Sequence, residues 1–156
     1  MSFDLLVKMN PSRKRPKPGD VFVIQPKKGV YYYGRVIRTK MPNKNPMMRG
    51  WNLIYIYKVP TEKIVMPDQL NERGLLIPPK IVNNQGWLKG YFQTIGSIPL
   101  QEEDYVKDYG FWDAFTKTFV DEEGNKLDFK PKMYSDYGVG SYGSVAYDVQ
   151  QALEGK

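Results

Sequence analysis

From Gly19 onward short apolar runs are separated by polar stretches containing Gly and Pro, the pattern of a β-rich chain. GDVFVI at 19–24 and YYYGRVIRT at 31–39 are rich in β-branched and aromatic residues, and PKKG at 26–29 between them carries a turn glycine. Together they predict a β-hairpin. Alternation along the second strand puts Tyr32, Gly34 and Val36 on one face, with Tyr31, Tyr33, Arg35 and Ile37 on the other. Both faces are partly apolar, so the strand is expected to be covered on both sides. Gly34 in mid-strand predicts a bulge or a close backbone approach. WNLIYIYKV at 51–59 is the clearest strand, with Trp51, Leu53, Tyr55, Tyr57 and Val59 facing one way and Ile54 and Ile56 the other.

Between and beyond these strands the period changes. KMPNKNPMMRG at 40–50 is a loop by its Pro, Asn and Gly content, long enough to be functional or mobile. TEKIVMPDQLNERG at 61–74 predicts a short strand followed by a helical turn or two that ends at Gly74. In LLIPPKIVNNQGWLKGYF at 75–92, Pro78 and Pro79 supply no amide donors and fix φ, so they form a rigid extended crossover. Strand character is expected to resume over WLKGYFQTIG at 87–96. QEEDYVKDYG at 101–110 reads as a helical turn or loop, and FWDAFTKTFV at 111–120 as a strand at its end, before the turn EEGN at 122–125. Val145, Val149 and Ala152-Leu153 make an apolar stripe at helical spacing, which predicts a helix from about Ser141 to Leu153. The fold class is therefore mainly β (α+β): a small, strongly bent antiparallel sheet or partly open SH3-like barrel with a C-terminal helix. One domain at 19–156 is expected to follow a basic N-terminal arm at 1–18, where PSRKRPKP has nothing to bury.

Composition narrows the chemistry. The 156 residues include no Cys and no His, which excludes thiolate nucleophiles, disulfides, Cys/His zinc sites and His-based proton transfer. No paired motif of carboxylates, Lys, Ser/Thr or Tyr takes their place, so neither a metal nor a cofactor is expected, and binding is favoured over catalysis. No apolar run approaches the ~20 residues that span a bilayer, and a soluble, cytoplasmic protein is expected. The net charge of +6 is uneven: residues 1–58 hold 13 Lys/Arg against Asp4 and Asp20, while 59–156 hold 10 against 15 Asp/Glu. Such halves either steer an acidic partner or neutralise one another within the fold.

The succession KPGDVFVI at 17–24, YGRV at 33–36, LLIPP at 75–79, GWLKGYF at 86–92 and DEEGN at 121–125 resembles the immunity protein 26 family of bacterial polymorphic toxin systems. The resemblance runs from about residue 17 to the C-terminal helix and leaves 1–16 aside. It implies a small, mostly β protein that binds a cognate toxin domain and neutralises it without catalysis. A nucleic-acid-binding barrel is the alternative, drawing on the basic arm and strand aromatics. A small barrel ribonuclease ranks below both.

Partner-binding candidates follow from composition. Tyr31, Tyr33 and Arg35 share a strand face and have the make-up of a contact site or of an ordinary aromatic sheet face. Met47, Met48 and Arg49 form a soft apolar loop tip in a basic collar, or a connector tucked on the body. Trp87 and Tyr91 stand just beyond the crossover, where core packing is the competing role for Trp87 and its indole N–H needs an acceptor near the prolines. Asp20 is read as a turn cap, Asp121-Glu122-Glu123 as turn chemistry, and Glu102, Glu103, Asp104 and Asp108 as a solvated loop. YGVGSYGS at 137–144 is read as a lead-in to the helix.

Overall fold

The computed structural model describes residues 5–155. Five strands, β1 (Asp20–Lys27), β2 (Val30–Arg38), β3 (Asn52–Ile56), β4 (Lys80–Val82) and β5 (Gln93–Ser97), pair antiparallel in the order β4-β3-β2-β1-β5. Three more, β6 (Tyr109–Asp113), β7 (Thr118–Val120) and β8 (Met133–Asp136), make a second sheet ordered β7-β6-β8, with β6 and β8 parallel. Two α-helices, α1 (Gln85–Lys89) and α2 (Tyr142–Leu153), and two short 3-10 turns, Leu70–Arg73 and Glu102–Asp104, complete the fold of the described residues. The class matches the mainly β expectation, in its open form: β4 and β5 stay apart at opposite edges and no barrel closes.

Local chemistry explains the hairpin and the curl. Gly29 takes φ +83° at the β1–β2 turn and donates its N–H to Gln25 Oε1 at 2.8 Å. Register shifts interrupt β1–β2 after Ile24, β1–β5 after Val21 and β2–β3 after Val36, and each adds local twist. Because both faces of the large sheet are apolar, both are covered. One carries Phe22, Ile24, Tyr32, Val36, Ile54 and Ile56 against Trp87, Phe92 and the Val145/Val149 stripe of α2. The other sets Val21, Val23, Tyr33, Leu53 and Tyr55 against Phe111 and Val120 of the second sheet. Gly34 is the close approach its position foretold: it faces Phe22 across the β1–β2 pair, and a Cβ there would overlap the Phe22 ring.

Two expectations are corrected, and one strand was not foreseen. Trp87 lies on α1, not on a strand: Asn83 Oδ1 accepts the N–H of Gln85 at 3.0 Å to start the turn, and Gly90 at φ +84° ends it. Five residues are too few to show a helical period. Residues 109–120 form two strands, because the turn at 114–117 splits an aromatic run whose spacing fits neither period. β8 carries no apolar alternation and was silent in the sequence.

Residues 6–12, within the segment expected as an arm, lie on the body as a strap. Val7 donates to the Gln25 carbonyl at 2.7 Å, Met9 to Gly90 at 2.7 Å and Ser12 to Trp87 at 3.0 Å, while Leu6 is buried with the α2 cluster. No described helix is long and apolar enough to cross a membrane.

Candidate interaction surface

The second sheet is built with one face too many apolar groups. Phe111 and Val120 point inward and are buried. Alternation then turns Trp112, Phe119 and Tyr134 outward, and register aligns them: Trp112 opposes Phe119, while Tyr134 opposes Gly110 on the far side of β6. Their rings meet edge to face, Trp112–Phe119 at 5.0 Å and Phe119–Tyr134 at 4.8 Å. An antiparallel sheet that faces water usually presents polar side chains there. This mixed sheet presents an aromatic row in which Trp112 and Phe119 are half-buried and Tyr134 is exposed, with Phe115 100% exposed at the β6–β7 tip.

The tip holds its shape by hydrogen bonds. Asp113 Oδ1 accepts from Phe115 N–H at 3.0 Å, the Asp113 carbonyl from Lys117 N–H at 2.7 Å, and Lys117 adopts φ +55°. Beside the row, the Lys130 ammonium stands 6.0 Å from the centre of the Tyr134 ring. Tyr134 also forms one wall of a groove of about 440 Å³ bounded by Leu76–Pro78 of the double-proline crossover and by Asp148, Gln151 and Ala152 of α2. In that groove the Lys80 ammonium pairs with Asp148 at 2.7 Å.

Two ion-pair clusters fix this sheet and its neighbouring loop to the large sheet. Arg38 on β2 reaches Glu122 at 3.2 Å and Glu123 at 2.8 Å, and Glu122 also accepts the Tyr109 hydroxyl at 2.7 Å. Burial disfavours the Arg38 charge, but the hydrogen bonds to Glu123 and Glu122 prevail and hold its guanidinium more firmly protonated than usual. Burial and the Glu122 charge push the Tyr109 phenol far up, so it stays a neutral donor. Deeper in, Arg35 pairs with Asp104 at 3.1 Å and donates to the Ile98 carbonyl at 2.7 Å, pinning residues 98–104. Tyr57 beside it is pushed up by burial, which the Arg35 charge only partly offsets, and its hydroxyl makes no well-formed hydrogen bond. Tyr55 is pushed up to about 12, again by burial, while its hydroxyl accepts the Val106 N–H at 3.1 Å.

The residues expected to meet a partner do not share one surface. Tyr33, Arg35 and Trp87 are at most 2% exposed, and Met48 is buried as well, so none of them is available to a rigid partner. Tyr31 is half-buried, and Tyr91 stacks on Tyr142 at 4.4 Å. Met47 is 79% exposed, and Arg49 beside it is exposed while donating from Nε to the Asn43 carbonyl at 2.9 Å. The Trp87 indole N–H finds no acceptor among the described residues, near the prolines or elsewhere. Asp20 caps the turn, accepting the Lys17 N–H at 2.9 Å, and Asp121 accepts from Glu123 and Asn125, both at 2.9 Å. Asp104 departs from the solvated-loop reading through its pair with buried Arg35. Sequence reasoning passed over Trp112, Phe115, Phe119 and Tyr134; the available signal was two aromatic stretches flanking the turn-prone DAFTK.

This arrangement offers shape, rings and fixed charges. Among the described residues no three acidic side chains gather to hold a metal ion, and Glu122 and Glu123 are already engaged by Arg38. Fold and surface together define a mainly β protein of two sheets, the second carrying an aromatic row on its outer face. The chain belongs to the immunity protein 26 family, whose model matches residues 17–121, and an immunity function in general follows from that membership. No curated protein and no solved structure matches it. The matched region runs from just before β1 to just past β7; β8, α2 and the strap lie outside it.

Proposed function

We propose that the protein binds a cognate bacterial toxin domain in the cytoplasm and neutralises it by occlusion, without catalysis, through the outer face of the second sheet. The observation that carries this reading is the row Trp112–Phe119–Tyr134 with Phe115 at its tip, in a chain of an immunity family. Aromatic side chains bring large contact area at little entropic cost and dominate interface energetics. Trp112 and Phe119 are half-buried while Tyr134 and Phe115 are exposed, and exposed rings in a free protein are a liability that a partner removes.

The test uses the toxin domain encoded immediately upstream, purified and titrated against this protein by calorimetry. Phe115→Ala and Tyr134→Ala are expected to weaken binding by about tenfold or more each, with circular dichroism unchanged, and to reduce protection when toxin and variant are co-expressed. Absence of any complex with the wild-type protein would remove the neutralisation reading. A complex indifferent to both substitutions would keep neutralisation and move the contact to another surface.

A further inference from the structure

The two edges of the large sheet are finished differently. The edge of β4 is closed by Gly140, which exchanges backbone hydrogen bonds with Ile81 and Asn83 at 2.8 and 2.9 Å. The outer edge of β5 has no such partner among the described residues. A groove of about 700 Å³ lies there instead, between β5 and the strap.

The strap, continued here through Lys17, runs alongside β5 in the same direction. At one end Asn10 Nδ2 donates to Gln93 Oε1 at 3.2 Å. At the other, Lys17 lies against Asp20, which is registered opposite Ser97. Lys14, Arg15 and Lys17 line the groove and are exposed, and none has a carboxylate within ion-pair distance among the described residues. Asp20 is the one acidic residue of the lining, and its carboxylate already holds the Lys17 N–H.

We propose that this groove receives an extended acidic segment of a protein partner, which adds a strand to β5 and sets its carboxylates against Lys14, Arg15 and Lys17. A strand edge offers N–H and C=O groups in alternation, and a polypeptide satisfies both. A phosphodiester chain carries acceptors only and would leave β5 carbonyls facing its phosphates. Five residues of β5 extend roughly 17 Å at strand rise, which suits a segment of five or six residues. Lys17, Asp20 and β5 lie within the family match, while Asn10–Arg15 lie outside it, so one wall is this chain's own flank. The inference does not rest on the toxin reading, and its test needs no toxin.

A fluorescent heptapeptide alternating Glu with Val and Thr is titrated against the full chain by anisotropy, with amide resonances of 93–97 followed by NMR. Binding is expected, with shifts confined to β5 and the strap. It should weaken about tenfold or more in the double variant Lys14→Glu/Arg15→Glu, weaken with added salt as screening grows, and vanish when alternate peptide amides are N-methylated. Both substituted residues are exposed, so circular dichroism should show the fold intact. No binding, equal binding by the charge-reversed variant, or undiminished binding of the N-methylated peptide would each overturn the proposal. Tighter binding of a single-stranded oligothymidine, lost in the charge-reversed variant, would overturn it too and give the groove to nucleic acid.

Discussion

Gly34 and Gly86 do the same work on two sides of one aromatic cluster. Gly34 lets the Phe22 ring lie against β2, Gly86 lets the Phe92 ring lie against α1, and Trp87 closes the group at 5.3 Å from Phe22 and 5.1 Å from Phe92. Gly34→Ala forces a methyl into the Phe22 ring and is expected to cost about 1–3 kcal/mol, the usual range for overpacking. A lower urea midpoint at unchanged slope checks it. These residues come from GDVFVI, YGRV and GWLKGYF, so the landmarks that made the family recognisable describe its interior. That is why the close approach at Gly34 was readable while the ring filling it was not. It is also why Tyr33, Arg35 and Trp87 drew attention as contacts: composition marks a residue as interface-like whether the opposing surface is a partner or the protein itself.

At the scale of elements, the large-sheet hairpin was legible from its β-branched and aromatic runs about a turn glycine, and α2 from an apolar stripe at helical spacing. The second sheet was half legible. β7 was expected from its turn, but β6 merged with the hairpin tip, and β8 pairs parallel with a strand some 20 residues earlier, a relation no local pattern announces. What joins this sheet to the large one, besides Phe111 and Val120, is the Arg38 clamp on Glu122 and Glu123. The pair is partly exposed, so Arg38→Ala should cost only about 1 kcal/mol globally. Locally it should do more, since Glu122 also orients Tyr109. Amide exchange is expected to speed up in β6 and β7 while β1–β3 stay protected; uniform exchange across both sheets would deny the clamp its local role.

For the molecule as a whole, the uneven charge resolves in part by internal pairing. Arg35 and Arg38 of the basic half meet Asp104, Glu122 and Glu123 of the acidic half, while Lys14, Arg15 and Lys17 are among the cations left without an ion pair among the described residues. β1, β2 and β3 each contribute to both apolar clusters, so neither cluster can melt and leave the other its floor. Unfolding should therefore be one transition, with backbone circular dichroism coinciding with tryptophan fluorescence. Trp87 reports the helical layer and Trp112 the second sheet, so single-tryptophan variants that melt apart would reveal independent units.

The parallel pairing of β6 with β8 also sets a timetable. The large sheet has all five of its strands once residue 97 has emerged from the ribosome, but Tyr134 joins the row only after the chain has doubled back from residue 113 to 133. At ~5–20 residues per second, the gap between these events is of order a few seconds. Through that interval the nascent chain is stapled at its centre yet has only part of its outward aromatic row, which is complete only once Tyr134 has been made.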